Sequence, residues 1–286
     1  MRSLQSPAEL SLQNEAELGR SEKAVIHETA VVHPAAELGA GVQIGAFSII
    51  GTNVTIGDGT VIEPHVIIEP WTTIGSDCRI CSGAILGGRP QDSKFKSERS
   101  YLTIGDRNII REYVTIHRAT GEENVTVVGS ENMLMAYCHI GHNCNLGNGI
   151  MMANMVGISG HVIIEDKAVF GGMVGVHQFV RIGYLAMVGG YSKVVQDIPP
   201  FMMADGRPTK VYDLNVIGLR RNGVPPKTRS GLKQAYKLLY RSNLNLSQAI
   251  ETIESEVEPS PEREYLLEFV RNIKFGFAGR QLEHRR

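Results

Sequence analysis

The chain has 286 residues, 29 Lys and Arg against 30 Asp and Glu, and 42% apolar residues with a single Trp. A balance so close to neutral excludes a general nucleic-acid binder, which needs surplus cations to neutralise phosphates, so any anion site has to be local. The four cysteines (78, 81, 138 and 144) include one Cys-x-x-Cys but no second pair at zinc-ribbon spacing. They read as small structural residues in a chain long enough to build a core without staples.

Residues 1–24 lack the apolar centre of a signal peptide. Glu9, Glu15, Glu17 and Glu22 count against an acid-poor transit peptide, so this stretch reads as a mobile tail. No apolar run approaches the ~20 residues of a membrane span, so no membrane insertion is expected.

From residue 25 a six-residue repeat takes over. Stepping by six from Ile26 to Val194 gives 29 positions, of which 26 are Ile, Val, Leu, Met or Phe. The exceptions, Asp92, Glu98 and Glu122, lie in two polar stretches. The next position is Gly thirteen times, which suggests corners needing permissive dihedrals. Four after the apolar residue usually stands a small or β-branched one, as in Val42, Ser48, Val54 and Thr60, able to point inward beside it. A period of six fits neither a helix nor a long strand. It fits a short strand plus a corner, coiled into a parallel β-helix, with three hexads per 18-residue coil if the section is triangular. The pattern does not give handedness. The polar stretches become loops at about 88–103 and 118–127, and loops on a rigid scaffold are where function concentrates.

The repeat stops at Gln196-Asp-Ile-Pro-Pro200, since prolines cannot continue a buried ladder. Leu232, Ala235, Tyr236, Leu239 and Tyr240 have helical spacing, as do Leu246, Ala249, Ile250 and Ile253. Ser260-Pro261-Glu262 reads as the cap and first turn of a third helix. The expected organisation is therefore a tail (1–24), a β-helix (25–200) and a helical domain (201–286) that caps the solenoid.

His139, His142, His161 and His177 all fall outside the inward apolar phase. Surface histidines on a β-helix are often only polar covering, but here the coil repeat gathers them. Gly160 follows His142 by 18 residues, one coil away at the ~5 Å strand spacing, with His161 beside it. A metal site is one use of such a cluster; general-base catalysis, for which an imidazole is suited near neutral pH, is the other.

The stretch Ile109-Ile-Arg-Glu-Tyr-Val-Thr-Ile-His-Arg118, followed by His139-Ile-Gly-His142-Asn-Cys144, Ser159-Gly-His161, Val176-His-Gln-Phe179, Val188-Gly-Gly190, Gln196 to Pro200 and Asn215-Val-Ile-Gly-Leu-Arg-Arg221, resembles the UDP-N-acetylglucosamine O-acyltransferase family of lipid A biosynthesis. The resemblance runs from about residue 25 to the C-terminus. It implies a left-handed parallel β-helix and a cytoplasmic homotrimer with sites between neighbouring subunits. The implied reaction transfers a 3-hydroxyacyl group from the phosphopantetheine of acyl carrier protein to the 3-hydroxyl of UDP-N-acetylglucosamine, with no further cofactor and no metal. By motif, His142 is the general base and Gly160 the oxyanion donor. Asp92 and Lys94 match a substrate-contacting loop. His139, His161, His177 and Gln178 match positions around sugar, phosphates and donor, and Asn215 and Arg221 match nucleotide positions. Gly190 matches the position that limits acyl length. Arg220, Lys233, Lys237 and Arg241 form a basic stretch suited to an acidic carrier protein, although a basic run can also be a solvated face.

The chain departs from the family's pattern twice. Asn143 stands where an Asp commonly pairs with the base, and Asn222 follows Arg221 where a second Arg is common. The competing readings are a related hexapeptide N-acyltransferase, which carries an extra N-terminal domain for which the tail is too short, a scaffold β-helix without catalysis, and a metal-binding β-helix.

Overall fold

The computed structural model describes residues 23–275 and 279–280. The expected mobile tail lies, except for its last two residues, outside the described residues. From Val25–Ile26 to Lys193–Val194 the chain forms 26 strands of two to four residues. Each pairs in parallel with the strand one coil on, Val25 with Gln43, Val31 with Ile49 and Glu37 with Thr55, which is the 18-residue repeat expected of a triangular section. Three parallel faces result, with 9, 9 and 8 of these strands, called here the first, second and third. The class is therefore mainly β, a parallel β-helix followed by α-helices.

The hexad explains the packing. Its apolar residue (Ile50, Ile62, Ile68, Leu86, Ile140) and the small or β-branched residue four later (Ser48, Val54, Thr60, Val66, Ala84) are both buried, so each corner contributes one large and one small inward group. Buried polar members are bonded: Thr60 Oγ1 donates to the Gly75 carbonyl and accepts from Cys78 N–H, and Asn108 and Asn132 hand hydrogen bonds from coil to coil. All four cysteines are buried and unpaired, as small core residues.

The reason for the repeated glycines is different from the one expected. Of the thirteen, only Gly87 has left-handed dihedrals. The others are needed because a Cβ would strike the next coil, at 2.6 Å from Pro64 N for Gly45 and 2.3 Å from Pro200 N for Gly183. The left-handed backbone sits two residues later and is mostly not glycine: Phe47, His65, Tyr137 and Asn143 have φ near 60°. Such residues cost on the order of 1 kcal/mol each, which the ladder bonds and the buried hexad offset.

The 18-residue spacing lengthens to 30 between Arg79 and Ile109 and to 24 between Tyr101 and Val125. Both insertions leave from the second–third edge. They end earlier than expected, because Tyr101–Ile104 and Val125–Val128 already rejoin the third face, so the loops are 89–100 and 118–124.

The region read as purely helical begins with an antiparallel hairpin, Met202–Gly206 with Thr209–Leu214, whose first strand extends the first face beyond Met187–Val188. Its alternating buried residues, Met202 and Ala204, cover an edge that would otherwise expose unpaired backbone. The helices then follow at Val216–Arg221, Pro226–Tyr240, Leu246–Glu256 and Pro261–Phe275. Asn245 and Gln248 form a capping box, and Ser260 Oγ accepts from Arg263 N–H as the expected cap. Among the described residues no helix is long and apolar enough to cross a membrane.

Candidate active site

His142 and Asn143 turn the second–third edge between His139–Ile140 and Asn145–Leu146, the edge from which both loops emerge. The His142 ring lies over Gly160 of the next coil, where a Cβ would fall 2.7 Å from ring Cε1 and Nε2, so only glycine fits beneath it. The Gly160 N–H makes no hydrogen bond to another backbone group among the described residues. His161 donates its backbone N–H to the His142 carbonyl at 2.9 Å. Its ring meets His142 edge-on at 5.1 Å and stacks on Phe179 at 4.7 Å.

The protonation pattern of His142 follows from its neighbours. Its Nδ1 is 2.8 Å from Asn143 Oδ1. That oxygen also accepts from the Thr120 N–H and hydroxyl, both at 2.9 Å, while Asn143 Nδ2 donates to the Thr120 carbonyl at 3.0 Å. The amide is thus pinned with its acceptor toward His142, so Nδ1 carries the proton and Nε2 keeps its lone pair.

Below this corner lies a groove of about 560 Å³ whose wall includes Gln91, His117, His139, His142, Gly160 and His177. His139 Nδ1 is 2.8 Å from Thr115 Oγ1, and its ring meets that of His117 edge-on at 4.8 Å. Burial, with His139 and His142 nearby, pushes His117 down to about 4. Burial and His142 also lower His139. The His177 Nδ1 is 3.3 Å from the Gln178 carbonyl. Along the second face His139 is followed outward by Gly157, Gly175 and Lys193 in register, and the two glycines have open space above them, leaving a strip of bare backbone.

Asp92 and Lys94 are on the loop at this edge. They make no ion pair with each other; Asp92 Oδ1 instead accepts the Lys94 N–H at 2.9 Å and shapes the turn. Asn215 and Arg221 are elsewhere. Asn215 caps the short helix and bonds the Leu185 carbonyl at the third–first edge, where Lys167 also bonds Asn222. Gly190 sits at the first–second edge, exposed, and a Cβ there would meet no atom closer than 3.2 Å, so packing demands glycine less than at its neighbour Gly189 (2.6 Å). The chain therefore gathers the histidines and the Asp92 loop at one edge and leaves the Asn215–Arg221 group and Gly190 on the other two. In the basic stretch, Lys233 is bound to Asp213, and Arg241 donates to Tyr236 Oη and the Tyr212 carbonyl. Arg220, Arg221 and Lys237 are exposed. Among the described residues no three His, Cys, Asp or Glu side chains are disposed to hold a metal ion.

Sequence reasoning missed His117 and Thr120. His117 was legible: counting through the six-residue insertion puts it in one column with Gly141, Ser159 and His177. Thr120 left no signal, because it reaches Asn143 only through the fold of its loop.

Residues 197–278 match the family described as UDP N-acetylglucosamine O-acyltransferase, domain 2, and residues 53–88 match the bacterial transferase hexapeptide (six repeats). The chain is 52% identical over 184 residues, 64% of its own length and 67% of the relative, to an acyl-(acyl-carrier-protein)–UDP-N-acetylglucosamine O-acyltransferase from Gloeothece citriformis. Among solved structures it resembles a UDP-N-acetylglucosamine acyltransferase from Bacteroides fragilis with a TM-score of 0.84 and 41% identity, covering 87% of this chain and 97% of that one. The corresponding Arabidopsis enzyme gives a TM-score of 0.80 at 33% identity, covering 87% and 96%.

Proposed function

The chain belongs to the UDP-N-acetylglucosamine O-acyltransferase family, and from that membership we propose how its own residues carry the reaction. It is an acyltransferase of lipid A biosynthesis, moving an acyl group from acyl carrier protein to UDP-N-acetylglucosamine. In our reading the acyl group is a 3-hydroxyacyl chain and the acceptor is the sugar 3-hydroxyl. His142 Nε2 takes the proton of that hydroxyl as its oxygen attacks the thioester carbon. The tetrahedral oxyanion receives the Gly160 N–H, and in comparable sites one such donor contributes ~2.7–4 kcal/mol. Collapse breaks the C–S bond, and the imidazolium returns its proton to the departing pantetheine thiolate.

The observation that carries this reading is the free Nε2 of His142 over Gly160, with Nδ1 held by Asn143. Asp92, Lys94, His139, His161, His177 and Gln178 bind sugar, phosphates and donor arm; the bare strip ending toward Gly190 takes the acyl chain. A homotrimer follows from the same reading. Asn215 and Arg221 lie at a different prism edge from His142, so the nucleotide group of one copy completes the histidine site of its neighbour. The exposed Arg220 and Lys237, beside Lys233 and Arg241, attract the acidic carrier protein. The enzyme works in the cytoplasm, where both substrates are found.

The test is turnover of UDP-N-acetylglucosamine with a panel of acyl carrier proteins bearing 3-hydroxyacyl and plain acyl chains of different length. His142→Ala is expected to lose at least about a thousandfold in kcat, in line with removal of a general base. Turnover within tenfold of the unsubstituted enzyme would rule His142 out as the base.

A further inference from the structure

Arg118 is buried, with 6% of its surface exposed, yet no carboxylate bonds it among the described residues. Its Nη1 donates to the Gly87 carbonyl at 3.2 Å, its backbone N–H to the Gly88 carbonyl at 3.1 Å, and its Nε is buried without a partner. What surrounds the guanidinium is aromatic. Its centre lies 5.3 Å from the Trp71 ring and 5.6 Å from the Phe95 ring, and Arg89 lies 5.6 Å from the same Phe95.

These four side chains join two parts of the molecule. Trp71 and Arg118 stand on the rigid coil, since Leu102 N–H bonds the Trp71 carbonyl and Arg118 follows the strand Thr115–His117. Phe95 and Arg89 belong to the 89–100 segment, and Arg89 also bonds Ser97 Oγ at 2.7 Å. Phe95 N–H bonds the Asp92 carbonyl at 3.0 Å, so seating Phe95 also sets the turn that carries Asp92 and Lys94. Glu69 and Glu98 act on Arg118 only at longer range; a buried guanidinium with no bonded carboxylate is costly unless its faces are used, and the two neighbouring rings use them.

We propose that Arg118 is a positioning residue: with Trp71 it forms a post on which Phe95 seats the 89–100 loop, placing Asp92 and Lys94 for the UDP-sugar. The inference rests on the reading of that loop as the acceptor-binding loop. Arg118 itself is buried and does not line the histidine groove. Disturbing the post therefore weakens acceptor binding and leaves the chemistry at His142, and the carrier-protein site, as they were.

Trp71 is the only tryptophan in the chain, so its fluorescence reports the post directly. Phe95→Leu alters only the loop side and keeps the coil intact; Arg118→Lys keeps the charge but loses the planar stack. Both are expected to raise acrylamide quenching of Trp71 at least twofold and to raise the KM for UDP-N-acetylglucosamine about tenfold. The KM for the acyl donor and kcat should stay within twofold. Unchanged quenching in Phe95→Leu overturns the post, whatever the activity. Raised quenching with an unchanged acceptor KM overturns its role in positioning. If the unsubstituted enzyme shows no acceptor turnover at all, the functional reading fails, while the quenching result still decides whether the post exists.

Discussion

Asn143 shows what a single residue decides. As an amide it fixes the ring and tautomer of His142 through Oδ1, and Thr120 fixes the amide in turn. It offers no charge to the imidazolium that forms during the reaction. An aspartate in its place would keep the acceptor and add that charge, which stabilises the protonated ring. It would lose the donor that Asn143 Nδ2 gives the Thr120 carbonyl. The charge is the larger effect, because hydrogen bonds to ionised groups are roughly twice as strong as neutral ones. Asn143→Asp is expected to raise kcat by about threefold to tenfold, read from initial rates at saturating substrates; a fall would mean that the Thr120 contact matters more. The sequence exposed the departure at position 143, but only the structure supplied Thr120 and so the reason the amide is oriented.

The strands set a further property. Thr115–His117 pairs with His139–Ile140, and this brings the two imidazoles together edge to face in a buried place. His117 is pushed from its ordinary 6.5 to about 4. Between those values the unfolded chain binds a proton that the folded one refuses, so stability falls as pH drops from 6.5 to 4 and is insensitive to this group above 6.5. Across the window the loss is on the order of 3 kcal/mol. His117→Gln should flatten the acid limb of a urea-midpoint profile measured from pH 7 to pH 4; a limb as steep as before would show that His117 is not its source. At this scale the hexad predicted both the strands and the residues that face inward. It misassigned the glycines, because a sequence pattern gives the position where a side chain is forbidden but not whether dihedrals or a neighbouring coil forbids it. It also missed the hairpin at 202–214, whose alternation is only a few residues long.

At the scale of the whole molecule, the candidate residues divide among three edges of one prism. His142 belongs to one and the Asn215–Arg221 group to another. A site shared between copies can be rebuilt from two inactive ones. His142→Ala and Arg221→Ala proteins, each nearly silent alone, are expected to regain about a quarter of full activity when unfolded and refolded together in equal amounts, the statistical share of intact pairs in a randomly assembled ring. No recovery in correctly sized oligomers would place the whole site in one protomer. What the sequence determined by itself was the coil: a six-residue period over most of the chain leaves one economical way to bury its apolar residues, and that period brings His142 beside Gly160. What only the tertiary structure decided was everything that depends on the path of an insertion or on the far side of the prism. The Thr120–Asn143 clamp, the stack of Trp71, Arg118 and Phe95, and the separation of Arg221 from His142 all join residues through space, at separations that no repeat encodes.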